Sequence, residues 1–283
     1  MTHHAGGCDG DATQGLRRRR YGAVIAGDGW MARAEPVDGS PRLRRLVDGH
    51  VVRYRSRRVE RLSAAATDVL TEWLRLADGR GYVAYSGGKD SAVVVDLLHR
   101  LTGAAEAIMI HDAEGSLADV YEAADWYRSR GVRVLERVWG SIFSEVRRTG
   151  RPAMRIHSVA MWAWRQGFRG VARGLRAEES LGREWRARAY PAIRDGGTEG
   201  DYWVCDPILH WTVDDVWAYH VIHGLAYCAV YDIDDDRPRD QRRVGSLWGW
   251  LGHETGRLAR LRRYMPDEYR RMREAFPEIG RMT

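Results

Sequence analysis

Tyr82-Val83-Ala84-Tyr85-Ser86-Gly87-Gly88-Lys89-Asp90-Ser91 decides how this chain is read. Its first four residues form a short β-rich run and Ser91 to Leu101 has helical spacing, so the two glycines stand between a strand and a helix. Paired glycines let the backbone turn tightly and approach a ligand, while a following helix offers unpaired N–H groups and the positive end of its dipole. Ser86, Ser91 and Lys89 add two hydroxyls and an ammonium. Such a loop binds phosphates. It is not the Walker A arrangement, which puts Ser or Thr directly after the lysine; here Asp90 follows. An ordinary Gly-Gly turn is the plain alternative, and the coincidence of strand, lysine, serines and helix start outweighs it.

Composition singles out the lysine. The chain holds 45 basic residues, and Lys89 is the only one that is not arginine. A sequence that writes its positive charge as guanidinium keeps an ammonium where a compact point charge is needed and a planar fork does not fit.

Outward from the loop, strand and helix alternate at parallel-sheet intervals. Ala107 to Ile110 reads as a strand, Asp119 to Arg130 as a helix and Val132 to Val138 as a strand. Ser158 to Phe168 follows as a helix, Gly170 to Leu175 as a strand and Tyr202 to Leu209 as extended chain. Val213 to His223 is a helix capped by Thr212, with Asp214 and Asp215 in its first turn. Upstream, Leu62, Ala66, Val69, Leu70, Trp73 and Leu74 recur at helical spacing until Asp78-Gly79 stops them. The expected fold is therefore α/β: an open, mostly parallel twisted sheet with helices on both faces.

Four regions are expected along the chain: a mobile basic tail over 1–20, an extension or cap of small strands over 21–58, the nucleotide-binding domain over 59–232, and an Arg-rich helical region over 233–283. The 283 residues carry a net charge of +6 and are 44% hydrophobic, enough to bury a core without disulfide or metal staples. No stretch approaches the roughly 20 apolar residues of a membrane helix, and the first 20 residues lack an apolar signal core, so no membrane association and a cytoplasmic location are expected. Cys8, Cys205 and Cys228 are odd in number and far apart, which gives neither a disulfide framework nor a cysteine-rich metal site.

The chain resembles the PP-loop (N-type) ATP pyrophosphatases, in the branch with phosphoadenosine phosphosulfate (PAPS) reductases and DNA phosphorothioation enzymes. Ser86 to Ser91 matches the SGGKDS motif, and Ile108-Met109-Ile110-His111-Asp112-Ala113-Glu114 stands where the second strand ends in Asp-Thr-Gly or Asp-Thr-Glu. Gly174-Leu175-Arg176-Ala177-Glu178-Glu179-Ser180-Leu181-Gly182-Arg183 matches a Gly-x-Arg-x-x-Glu-Ser-x-x-Arg segment. Asp206 to Trp217, with Tyr231-Asp232 beyond it, is similar to the branch's Pro, Trp and Asp-Val-Trp run. Two departures stand out: nothing after Cys228 is a cysteine, so the reductase nucleophile is missing, and Arg243-Val244-Gly245-Ser246-Leu247-Trp248 replaces a cysteine-bearing element.

The resemblance implies cleavage of ATP to AMP and pyrophosphate, adenylating a substrate for sulfur transfer, with nucleic acid or a nucleoside as a candidate acceptor. Ser86, Gly87, Gly88 and Ser91 would cradle the pyrophosphate, Lys89 would neutralise it, and Asp90 would fix the loop or reach a magnesium ion. Tyr85, His111 and Asp112 would border adenosine, and Gly174, Arg176 and Arg183 would complete the phosphate or substrate side, with Glu178 and Glu179 as magnesium ligands or, the favoured reading, partners of the arginines. ATP and Mg2+ are the implied cofactors, no iron–sulfur cluster is expected, and a sulfur-donor partner protein would supply the nucleophile. The alternatives are a PAPS or adenylyl-sulfate enzyme without its cysteine, and a nucleotide-binding subunit of a modification or defence complex without turnover. A homo-oligomer stays open. The Arg blocks 17–20, 53–58 and 257–263 are candidates for phosphate contact, against the plain reading of solvated charge.

Overall fold

Three antiparallel strands open the part of the chain that the computed structural model describes, namely residues 24–25, 31–37, 40–111, 117–138, 148, 156–197, 201–232, 257–275, 277 and 280. They are β1 (Val24–Ile25), β2 (Met31–Val37) and β3 (Ser40–Val47). Helix α1 (Gly49–Leu76) follows and leads into β4 (Gly81–Tyr85), α2 (Lys89–Thr102), β5 (Glu106–His111), α3 (Ala118–Arg128) and β6 (Arg133–Val138). The second half contains α4 (Ile156–Arg165), β7 (Gly170–Arg173), α5 (Leu181–Ala189), β8 (Ile193–Asp195) and β9 (Trp203–Cys205). It closes with α6 (Val213–His223), β10 (Tyr227–Cys228), α7 (Arg257–Tyr264) and α8 (Pro266–Ala275).

The main sheet has six strands in the order β6-β5-β4-β7-β9-β8. All pairings are parallel except that of the edge strand β8 with β9. The expected mostly parallel α/β sheet is therefore the fold. Alternate residues face alternate sides. Val83, Tyr85, Ala107 and Met109 join the core under α1, α2, α3 and α6, whereas Tyr82, Ile108 and Val171 form a second cluster with Ala160, Trp162 and Trp164 of α4. Because β4 comes first in sequence yet lies between β5 and β7, the winding reverses there. In open α/β sheets ligands sit in the crevice outside the carboxyl ends of the strands at such a switch point.

Helix α1 starts ten residues before the apolar pattern that predicts it. Its later turns bury Val59, Ala66, Leu70 and Trp73, and the Trp73 indole N–H donates to the Trp203 carbonyl at 3.1 Å. Its earlier turns are tied by charge: Arg55 reaches Asp214 at 2.7 Å, and Arg58 forks onto Asp215 at 2.6 and 2.9 Å. Thr212 and Asp215 form the reciprocal capping box of α6. Burial would raise the Asp215 carboxyl, but the Arg58 fork and the Thr212 donors together hold it below the usual carboxylate range.

A second sheet, ordered β1-β2-β3-β10, joins the early strands to the far end of the chain, with Tyr227 opposite Arg44 and Cys228 opposite Leu43. The expected C-terminal helical stretch divides at Met265, where Pro266 starts α8 in the position that tolerates a missing N–H. Among the described residues no helix is long and apolar enough to cross a membrane.

Candidate active site

Residues 86–88 leave the carboxyl end of β4, and Gly174 leaves the carboxyl end of the adjacent β7, so both border the switch-point crevice. Gly87 has φ +74°, a left-handed conformation that side chains resist, and a Cβ there would also strike Val120 at 2.8 Å. Gly174 is required for another reason. A Cβ at Gly174 would lie 2.5 Å from the backbone between Asp90 and Ser91, so the end of β7 presses directly on the first turn of α2.

Inside the loop the serines bond each other and the backbone. Ser91 Oγ donates to the Gly88 carbonyl at 2.9 Å and lies 3.2 Å from Ser86 Oγ, while the Gly88 N–H donates to Ser86 Oγ at 3.3 Å. Three side chains from α6 and the segment after it hold the loop from behind. His220 Nε2 meets the Lys89 carbonyl at 2.9 Å, the Tyr231 hydroxyl accepts from the Lys89 N–H at 3.2 Å, and Cys228 Sγ donates to the Gly87 carbonyl at 3.3 Å. Burial lowers the His220 pKa to about 4, so the ring is neutral at pH 7 and donates through Nε2 to that carbonyl.

Lys89 is 3% exposed; its Nζ lies 2.7 Å from Asp90 Oδ2 and 5.6 Å from the Tyr231 ring centre. Arg176, 2% exposed, places Nε 2.6 Å from Asp90 Oδ1 and pairs through Nη1 with Glu178. Arg183, in α5, pairs with Glu179. Burial would raise the Asp90 carboxyl, and Lys89 and Arg176 reverse that and hold it below its ordinary value. Lys89, Arg176 and Arg183 thus alternate with Asp90, Glu178 and Glu179 along the crevice.

The structure brings together Ser86, Gly87, Gly88, Lys89, Asp90, Ser91, Gly174 and Arg176, with Arg183 one ion pair further out. Glu178 and Glu179 are partners of the arginines, as the sequence reading expects. Tyr85 is placed elsewhere: strand alternation turns it into the core, where its ring packs edge-on against Tyr127 at 5.5 Å. His111 ends β5 beside Glu136, 3.6 Å away, and Tyr121. Asp112, the tail over 1–20 and the segment 243–248 lie outside the described residues. Asp90 is the expected magnesium ligand. Both its oxygens already accept from cations, and no group of three His, Cys, Asp or Glu residues among the described residues is arranged to hold a metal ion. Cys205 and Cys228 are buried, and burial pushes both thiols up.

Sequence reasoning missed the role of His220, Cys228 and Tyr231 behind the loop. They lie 131 to 142 positions from the atoms they bond, and the only sequence hint is their place in or beside the Asp-Val-Trp to Tyr-Asp run.

With this geometry in view, comparison with known families is decisive. The profile of the phosphoadenosine phosphosulfate reductase domain matches residues 80–280. The chain belongs to this family. Membership places it in the PP-loop superfamily. The FMN adenylyltransferase of Candida glabrata, solved with FMN and the ATP analogue AMPCPP, is similar over 62% of this chain and 60% of its own, at 14% identity and TM-score 0.46. The phosphoadenylyl-sulfate reductase of Candida auris, in a phosphate complex, is similar over 62% of this chain and 89% of its own, at 15% identity and TM-score 0.44. The U34-tRNA thiolase NcsA of Methanococcus maripaludis, with its 4Fe-4S cluster, is similar over 75% of this chain and 79% of its own, at 13% identity and TM-score 0.44. The chain thus spans three fifths of the adenylyltransferase's length. No curated protein sequence matches it.

Proposed function

We propose that this chain binds ATP in the switch-point crevice and cleaves it between the α and β phosphates, releasing pyrophosphate and leaving AMP on an acceptor. One observation carries the reading: the Ser-Gly-Gly-Lys-Asp-Ser loop ends β4 at the reversal of the sheet, with its ammonium set against Asp90, which Arg176 also holds. In this reading the first-turn amides of α2 and the hydroxyls of Ser86 and Ser91 hold the pyrophosphate still, and Lys89 neutralises the charge that grows on it as the bond to the α phosphorus breaks. Asp90 keeps Lys89 and Arg176 oriented by accepting from both. Gly174 keeps β7 against the loop, and Arg183 with Glu179 braces the turn that carries Arg176. Tyr85 acts from beneath the loop as packing, and His111 at the end of β5 borders the adenosine side.

Both described thiols are buried and hard to ionise, so the chain activates and a partner supplies the sulfur or other nucleophile. The test is product identification after incubation with ATP and magnesium, by phosphorus NMR. AMP with pyrophosphate is the expected pair. ADP with orthophosphate as first products would overturn the assignment, because γ-phosphate chemistry belongs to loops with a Lys-Ser/Thr pair that this one lacks.

A further inference from the structure

The arginines on the first half of α1 divide into two sets. Arg55 and Arg58 turn inward onto Asp214 and Asp215. Arg53, Arg57 and Arg61 recur four residues apart, which puts them on one face of the helix about 6 Å from one to the next. All three are exposed, and among the described residues no carboxylate pairs with any of them. Beside them Tyr54 is 66% exposed, with the Arg53 guanidinium 5.7 Å from its ring centre and the His50 ring at 4.3 Å. Like charges at this spacing repel along a helix.

This face also has a definite place. The carboxyl end of α1 feeds the start of β4, so its amino half lies toward the carboxyl edge of the sheet, where the loop is. Contacts link the two. Arg55 and Arg58 bind the first turn of α6, the Val213 N–H there donates to Glu178, Glu178 pairs with Arg176, and Arg176 with Asp90. We infer that Arg53, Arg57 and Arg61, with Tyr54, form a surface for the sugar-phosphate backbone of a nucleic-acid strand, leading toward the loop. Charge complementarity chooses this occupant: a row of guanidiniums beside an exposed aromatic ring fits phosphates beside bases. A lipid surface fits less well, because the apolar face of α1 is spent on the core through Val59, Ala66, Leu70 and Trp73 and leaves only Val52 and Tyr54 exposed among its large apolar side chains. The helix lies outside residues 80–280, so the surface is a feature of this chain beyond the matched family region. Only the purpose of binding, presentation of an acceptor, rests on the proposed adenylation.

Fluorescence polarisation with labelled single-stranded DNA, single-stranded RNA and duplex DNA of about 20 nucleotides, between about 50 and 200 mM salt, tests the surface and tells the polymers apart. Wild-type protein should bind at least one of them with affinity falling steeply as salt rises. The combined R53A, R57A and R61A variant should lose at least tenfold at low salt, and its log-log salt slope should be shallower by about 2 to 3. Arg75→Ala with Arg188→Ala, which removes arginines already paired with Glu72 and Glu184, should leave the slope unchanged. Absence of oligonucleotide binding at low salt, equal slopes for wild type and the triple variant, or arginine-dependent binding to phosphatidylserine vesicles without oligonucleotide binding would overturn the inference. Circular dichroism checks that the variants are folded. ATP binding is read separately on the same samples, so its loss bears on the proposed activity and loss of oligonucleotide binding on this surface.

Discussion

Asp90 and Asp206 are each gripped by two cations, one beside the loop and the other at the edge of the sheet. Asp206 receives a two-pronged fork from Arg173 at 2.8 and 2.7 Å and a further bond from Arg194 at 2.8 Å. Arg173 ends β7, Arg194 lies in β8 and Asp206 follows β9, so one carboxylate staples three neighbouring strands. Asp90 is held by Arg176 and by Lys89, its own neighbour on the first turn of α2. Rigid planar forks suit the tie that only holds the sheet, whereas the loop keeps the single ammonium, a point charge on a flexible stem that can be shared with an arriving phosphate. The same charge pattern is structural at one place and suited to chemistry at the other.

The largest effect should come from breaking the sheet staple. Asp206→Ala leaves Arg173 and Arg194 facing each other in a mostly buried position, and the expected loss is about 3 to 5 kcal/mol of unfolding free energy, read by urea denaturation. ATP affinity per folded molecule should be unchanged. A loss well under about 1 kcal/mol would mean that water satisfies the two guanidiniums and that Asp206 is no staple.

Next comes the loop. Lys89→Arg should slow pyrophosphate release about a hundredfold, nearly as much as Lys89→Ala, because the fork must fit a space 3% exposed and bounded by Asp90 and the Tyr231 ring. If the arginine variant turned over at a near-normal rate, the lone lysine would be an accident of composition, and the contrast with Asp206 would disappear.

The same two aspartates mark how far the sequence could be read. The loop was legible because glycines, serines and a solitary lysine are local signals, and so was α6, whose Thr212 and Asp215 cap each other within one turn. The start of α1 was hidden because apolar periodicity begins only near Val59, while its earlier turns are anchored by Arg55 and Arg58 on a helix more than 150 residues away. The pairing of β10 with β3 and the bonds from His220, Cys228 and Tyr231 to the loop are equally non-local. Tyr85 shows a subtler limit: its place beside the glycines was plain, but the parity of the strand decides which face it takes, and parity follows from the layers packed on the sheet.

A third aspartate sharpens the comparison by lacking a cation. Asp119, in the first turn of α3, is 3% exposed; its Oδ2 accepts from the Val230 N–H at 3.4 Å, and its Oδ1 has no hydrogen-bond partner among the described residues. Burial raises its pKa to about 7, against the pull of the Val230 N–H. The sign of the consequence is opposite to that at Asp90. Between about pH 4 and 7 the unfolded chain gives up a proton that the folded chain keeps, so this group removes stability as pH rises, and the penalty is complete above about 7. Asp119→Asn keeps an acceptor for Val230 and cannot ionise. It should fall below wild type near pH 4 by the cost of an unpartnered buried amide and exceed it by about 1 to 2 kcal/mol at pH 8, where that same cost offsets part of the gain from not ionising. Thermal unfolding of the two proteins across that range measures the difference. Parallel curves would show that Asp119 is ionised in the fold, and a burial without a neighbouring cation would then count for nothing beside Asp90 and Asp206.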